Sequence, residues 1–163
     1  MNIELREFSV DDIEEAIFIW NQVVDEGVAF PQLERLNRET GLKFFKEQSY
    51  TGIAVNVESN EIVGLYILHP NNVGRCGHIC NASYAVKEGL RGHHIGESLV
   101  RHCLDMGRKF DFKILQFNAV VESNTTALAL YEKLGFTRLG TIPQGFLMPD
   151  GCYENIVPHY KCL

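Results

Sequence analysis

Residues 2–8 (NIELREF) alternate apolar and polar side chains, the period of a half-buried strand. Ser9 is followed three residues on by Asp12, a pattern that resembles a capping box. Ile13, Ala16, Ile17, Trp20, Val23 and Val24 then fall at helical spacing, so a helix runs to about Asp25. Gly27 and Pro31 make 26–37 a loop or a broken helix, and a second helix is predicted over about 38–48. Two strands, about 52–58 and 61–69, are split by a hairpin turn at Ser59 and Asn60. Residues 71–74 turn the chain into a long strand, about 76–86. A glycine-bearing loop over 87–94 feeds a helix that buries Ile95, Leu99, Cys103 and Met106. A strand over 113–121 precedes a helix over 125–134, and strands near 136–142 and 152–160 close the chain. The order β-α-α-β-β-β-α-β-α-β-β predicts an α/β layer structure with a largely antiparallel sheet. With no repeats, low-complexity tracts or linkers, residues 1–163 read as a single domain.

Composition narrows the classes. The chain has 163 residues, 45% hydrophobic and 22% charged, which suits one soluble domain with its own core. No apolar run approaches the roughly 18–20 residues of a membrane span, and the acid-bearing N-terminus is neither a signal nor a transit peptide. Fifteen basic against 21 acidic residues give a net charge of −6. That balance argues against a nucleic-acid partner, which needs a basic face, but leaves room for a local phosphate pocket. Five cysteines without disulfide-like spacing, and no export signal, predict reduced thiols in a cytoplasmic protein. Cys76, His78 and Cys80 would share one strand face. Alternate strand residues stand about 6.5–7 Å apart, too far for a tetrahedral zinc with bonds of about 2.0–2.3 Å. The adjacent His93 and His94 point in divergent directions. No metal is implied.

Two segments carry chemistry. In 84–100 (YAVKEGLRGHHIGESLV), a loop with Gly89, Gly92 and Gly96 leads into a helix. Free backbone N–H groups and the positive helix end there make an anion site. The spacing is neither that of a nucleotide triphosphate loop nor GxGxxG, and the glycines also suit a plain tight turn. In 122–136 (ESNTTALALYEKLGF), Asn124 stands where a helix cap would. Tyr131 shares a face with Ala127 and Leu134, which also suits core packing.

Together the two segments resemble the GNAT acetyltransferase superfamily. Its cofactor signature, R/Q-x-x-G-x-G/A after a strand, is matched by Arg91-Gly92-His93-His94-Ile95-Gly96, with His94 in place of the usual middle glycine. Its downstream signature is matched by Asn124 and the LYEKLGF string at 130–136. The resemblance implies a mixed, largely antiparallel central sheet with splayed middle strands and flanking helices. It also implies an N-acetyltransferase that uses acetyl-CoA, with direct attack of an amine on the thioester. The strings GHICNASYAV and LQFNAVVESN further resemble the subgroup that holds the fungal enzymes acetylating proline analogues such as azetidine-2-carboxylate. The implied acceptor is a small amino compound. A protein or peptide N-terminal acetyltransferase and a non-catalytic acyl-CoA-binding module are the other readings.

By the same resemblance, the pyrophosphate lies on Arg91, Gly92, His93, His94, Ile95 and Gly96. The pantetheine arm pairs with Tyr84, Ala85 and Val86, where an N–H near Val86 meets the developing oxyanion. Asn124 and Tyr131 also face the cofactor, and Tyr131 is the hydroxyl beside the leaving thiolate. Asn81 and Asn118 line the acceptor pocket and orient the amine, and Glu122 and His78 are the nearest bases acting through water. The family's frequent dimers imply a homodimer.

Overall fold

In the computed structural model, which describes residues 1–90 and 92–163, the alternating N-terminal segment forms β1 (Ile3–Glu7). It pairs antiparallel with β2 (Tyr50–Asn56), which pairs with β3 (Glu61–Pro70) through a turn where Asn60 takes φ +58°. Next comes β4 (Ile79–Val86), antiparallel to β3 from Gly64↔Val86 to Pro70↔Cys80. The seven-stranded sheet runs β1-β2-β3-β4-β5-β9-β6, with β5 (Ile114–Phe117), β6 (Thr137–Arg138) and β9 (His159–Cys162) completing it. Its β4–β5 contact is parallel and the other pairs are antiparallel.

Strand alternation sends side chains to two cores. Ile53, Val55, Leu65 and Ile67 meet α1 (Ile13–Glu26) and α2 (Arg38–Lys46) on one face. Ala54, Val63, Tyr66 and Leu68 meet Ile95, Leu99, Val100 and Cys103 of α3 (Ile95–Lys109) on the other. The central strands are therefore apolar on both sides, as sheets covered by helices on both faces are. The fourth helix, α4 (Thr125–Lys133), packs on the α3 side. Among the described residues no helix is long and apolar enough to cross a membrane.

The segment after α1 is irregular, as its Gly27 and Pro31 imply, but it is pinned. Gly27 ends α1 in the left-handed region at φ +65°. The ring of Phe30 packs on Trp20 at 4.3 Å. Buried Asn21 accepts from Leu36 N and donates to Leu36 O, both at 2.8 Å.

Three stretches differ from the sequence reading. The predicted strand over 76–86 starts at Ile79, because Gly74, at φ +58°, opens a 3-10 turn over Gly74–Cys76. Cys76 and His78 therefore precede the strand and do not share a face with Cys80, which is buried. The predicted strand over 113–121 stops at Phe117. The strands predicted near 136–142 and 152–160 become four. β6 and β9 join the main sheet, while β7 (Ile142–Leu147) and β8 (Tyr153–Ile156) form a separate hairpin. Gly140 at φ +139° and Pro158 between β8 and β9 separate these strands, and Gln144 at φ +54° sits where the register shifts inside β7.

Candidate functional site

The parting of β4 and β5 makes the site. They pair only at Ile79↔Ile114 and Cys80↔Leu115. Beyond that point a cavity of about 770 Å³ opens between them, lined by Ser83, Tyr84 and Val86 on one side and Phe117 through Val121 on the other. That volume is in the range of small-molecule sites, about 300–1,000 Å³.

One end of the cavity suits an anion. Gly92, His94, Ile95, Gly96 and Glu97 wall it. Among the described residues no side chain caps α3, and the N–H groups of its first turn lack intrahelical partners and carry the positive end of the helix dipole. His94, the residue before the helix, sits at φ +60° and ψ 14°. Glycine adopts this left-handed region without strain, whereas an L side chain pays roughly 1–2 kcal/mol there. The His94 side chain is 80% exposed, so what it gives the cavity wall is mainly backbone. A Cβ on Gly96 would meet only Leu130 Cδ2, at 3.9 Å. The space over that residue is open, a cradle that a larger side chain would fill. Glu97, the acid nearest this end, is neutralised. Lys133 Nζ at 2.6 Å and Arg101 Nη2 at 2.8 Å hold its carboxyl down to about 2 and tie α3 to α4.

The middle of the cavity presents a strand edge. Lys87 N donates to Val63 O, so the odd-numbered residues of β4 bond to β3. The backbone groups of Ala82, Tyr84 and Val86 then point the other way, where β5 has departed. An unpaired edge of this kind accepts an extended, amide-bearing chain as an added strand. Ala85 contributes from the far side: its side chain is buried against the α1 core.

Tyr131 reaches the cavity from α4. Its ring packs on Phe117 at 4.4 Å and Phe136 at 5.4 Å. Burial raises the phenol above its ordinary pKa, and its hydroxyl makes no hydrogen bond among the described residues. Asn124 is both cap and wall: its Oδ1 accepts from Ala127 N at 3.2 Å, and it lines the cavity. Asn81 also lines it, with Oδ1 taken by Ala82 N at 2.7 Å. Asn118 lines it just past β5.

The remaining expected residues are not brought in. Glu122 lies outside the cavity wall. Its carboxylate accepts from Asn155 Nδ2 at 2.8 Å and faces Arg138 Nη2 at 3.3 Å, beside a shallow opening with Tyr153 and Glu154. His78 does not line the cavity, and neither does His93, whose Nδ1 meets Leu90 O at 3.3 Å. The Arg91 expectation lies outside the described residues.

The 26–37 loop, which from sequence decides only whether a peptide acceptor could enter, supplies part of the wall. Val28, Ala29, Phe30 and Pro31 from the segment after α1, and Met148 from the β7–β8 hairpin, also line the cavity. The two elements touch, since a Cβ on Gly27 would meet Pro149 Cγ at 2.9 Å. Pro31 in a run of small and apolar residues was the signal available.

A model of the acetyltransferase (GNAT) family matches residues 12–136. The N-acetyltransferase aca1 of Schizosaccharomyces pombe is 30% identical over 138 residues, covering 75% of this chain. The chain spans 66% of that protein's length, just under two thirds. A GCN5-related N-acetyltransferase from Kribbella flavida is 27% identical with a TM-score of 0.90, over 99% of this chain and 98% of the other. A phosphinothricin acetyltransferase from Sinorhizobium meliloti, solved in complex with acetyl-CoA, shares the fold. It has a TM-score of 0.89 and 18% identity, over 100% of this chain and 89% of its own.

Proposed function

The chain belongs to the acetyltransferase (GNAT) family, and from that membership we propose that it moves an acetyl group from acetyl-CoA to the nitrogen of a small amino compound. The observation that carries this reading is the parting of β4 and β5. It puts an uncapped helix end, an unpaired strand edge and a buried phenol around one cavity.

Acetyl-CoA supplies an activated thioester carbonyl, and the chain's residues do the rest. The first-turn N–H groups of α3 and the backbone of Gly92 to Gly96 hold the pyrophosphate, with Arg91 adding its guanidinium. The β4 edge at Tyr84 and Val86 pairs with the pantetheine amides. The N–H near Val86 donates to the charge that develops on the carbonyl oxygen as the amine attacks. Tyr131 donates its hydroxyl to the departing sulfur, and its raised pKa keeps that proton in place. Asn124 borders the same arm from α4. Asn81 and Asn118 orient the amine from opposite walls. Glu122, beyond the wall, would reach the amine only through water.

A small acceptor is favoured over a peptide by the Gly27–Pro149 contact, which ties together two elements whose neighbouring residues, Val28 to Pro31 and Met148, line the cavity. The proline-analogue subgroup indicated by the sequence strings supplies the first compounds to try. The same reading takes the protein as a cytoplasmic, single-domain homodimer. The test is a free-thiol release screen with acetyl-CoA and an acceptor panel of proline analogues, polyamines, aminoglycosides and short peptides. Release with a small amine supports the proposal. Release with peptides alone replaces it with the peptide reading, and acetyl-CoA binding without release to any amine replaces it with a binding module.

A further inference from the structure

The carboxamide of Asn118 is held from two sides. Asn118 Nδ2 donates to Asn71 Oδ1 at 2.7 Å, and Asn71 Nδ2 donates back to Asn118 Oδ1 at 3.2 Å. Gln116 Nε2 donates to the same Asn118 oxygen at 3.0 Å. Asn71 is anchored in turn. It is the first residue after β3, and its backbone N–H donates to Ile79 O at 2.8 Å. Asn71 does not line the cavity, and the acetyl-transfer reading gives it no part.

A count of valences shows what this arrangement does. A carboxamide has two acceptor sites on oxygen and two hydrogens on nitrogen. Asn71 and Gln116 fill both sites on Asn118 Oδ1, and Asn71 takes one of its N–H groups. One N–H is left for the cavity that Asn118 lines. A carboxamide on its own turns easily between its two faces, because its terminal torsion is broad and two-fold.

We propose that Asn71 is a positioning residue that locks Asn118 with an N–H, not a carbonyl oxygen, toward the acceptor. The inference rests on the reading that Asn118 orients the acceptor. It adds the chemistry of the group recognised: an oxygen with free lone pairs carried beside the reacting amine. The Asn71–Asn118 pair is exposed to solvent, where such bonds add little to stability. Its loss should therefore show in positioning, not in folding.

Two measurements test this separately. In the ¹⁵N-labelled protein, the Asn118 carboxamide signal is identified by its absence from Asn118→Asp. Asn71→Ala should shift that signal and speed its exchange with water, with the melting temperature unchanged. An unmoved signal overturns the positioning whatever the activity. The second measurement is a double-mutant cycle in kcat/KM for the best acceptor. Asn71→Ala should cost roughly tenfold in the wild-type background and under twofold in Asn118→Ala, with acetyl-CoA affinity constant. Equal losses in both backgrounds, or none in the wild type, overturn the inference. If the wild type transfers to no amine at all while Asn71→Ala still shifts the signal, the functional reading falls instead.

Discussion

Replacing Tyr131 with Phe removes one oxygen and almost nothing else. The ring stays packed against Phe117 and Phe136, and the hydroxyl has no hydrogen bond to lose among the described residues. Stability should therefore change little. The effect should appear where negative charge develops on sulfur, because a hydrogen bond to a charged group contributes about 1.5–3 kcal/mol. At about 1.4 kcal/mol per decade, kcat should fall roughly 10- to 100-fold. Acetyl-CoA affinity should hold within about twofold, since the thioester sulfur in the ground state carries little charge. The assay is thiol release at saturating acetyl-CoA, with affinity measured by calorimetry. Burial raises the Tyr131 phenol above its ordinary value near 10, so its proton stays on below that pH. The wild-type rate should then show no alkaline loss from this group below about pH 10. An unchanged kcat with weakened acetyl-CoA binding would make Tyr131 a packing residue with no part in stabilising the departing thiolate.

Gly96→Val should keep the fold, since its Cβ meets only Leu130 at 3.9 Å, but should weaken acetyl-CoA binding by at least tenfold in a calorimetric titration. His94→Gly relieves a left-handed side chain at φ +60° but frees the unfolded chain by a similar amount. Its melting temperature should move by no more than a few degrees, and it should bind acetyl-CoA at least as well as the wild type. Asp12 is held by Arg6 through two bonds of 2.7 Å and accepts from Ser9 N at 2.7 Å. Burial pushes its carboxyl up, but these partners outweigh that and hold it below its ordinary 3.8. A lowered folded-state pKa gives stability above the ordinary value that is lost as pH falls through the folded one. Asp12→Asn should therefore melt earlier at pH 7 and lose less stability than the wild type between pH 5 and pH 2, as read by thermal melts across that range.

Much of the fold was legible because its signals are local. The helix from Ile13 repeats apolar residues at 3.6, and the 50–70 hairpin has continuous apolar strands around a polar turn. The anion end was legible for the same reason: glycines before a helix state their conformation in sequence. The end of β5 was not. Residues 118–121 look like strand by composition, but whether they pair depends on β4, which the local pattern does not encode. The register shift inside β7 was hidden similarly, since the positive φ of Gln144 cannot be read from a glutamine. Glu122 shows the same limit in the site. Its place one residue past a predicted strand suggested the cavity, but Asn155 and Arg138, both distant in sequence until the hairpin folds, draw it away. Asn71 was invisible because a surface asparagine after a strand reads as a turn residue until its partner 47 positions on is known.

If the gap between β4 and β5 brings acetyl-CoA and a small amine together, the acetyl group passes intact from one to the other. Mixing the protein with acetyl-CoA carrying a deuterated acetyl group and the best acceptor from the screen, then following the acceptor by mass spectrometry, tests it directly. A deuterated acetyl group is expected on the amine nitrogen, with one free CoA for each product and loss of both in Gly96→Val. Free CoA without labelled acceptor, or product formation that Gly96→Val leaves unchanged, would contradict it.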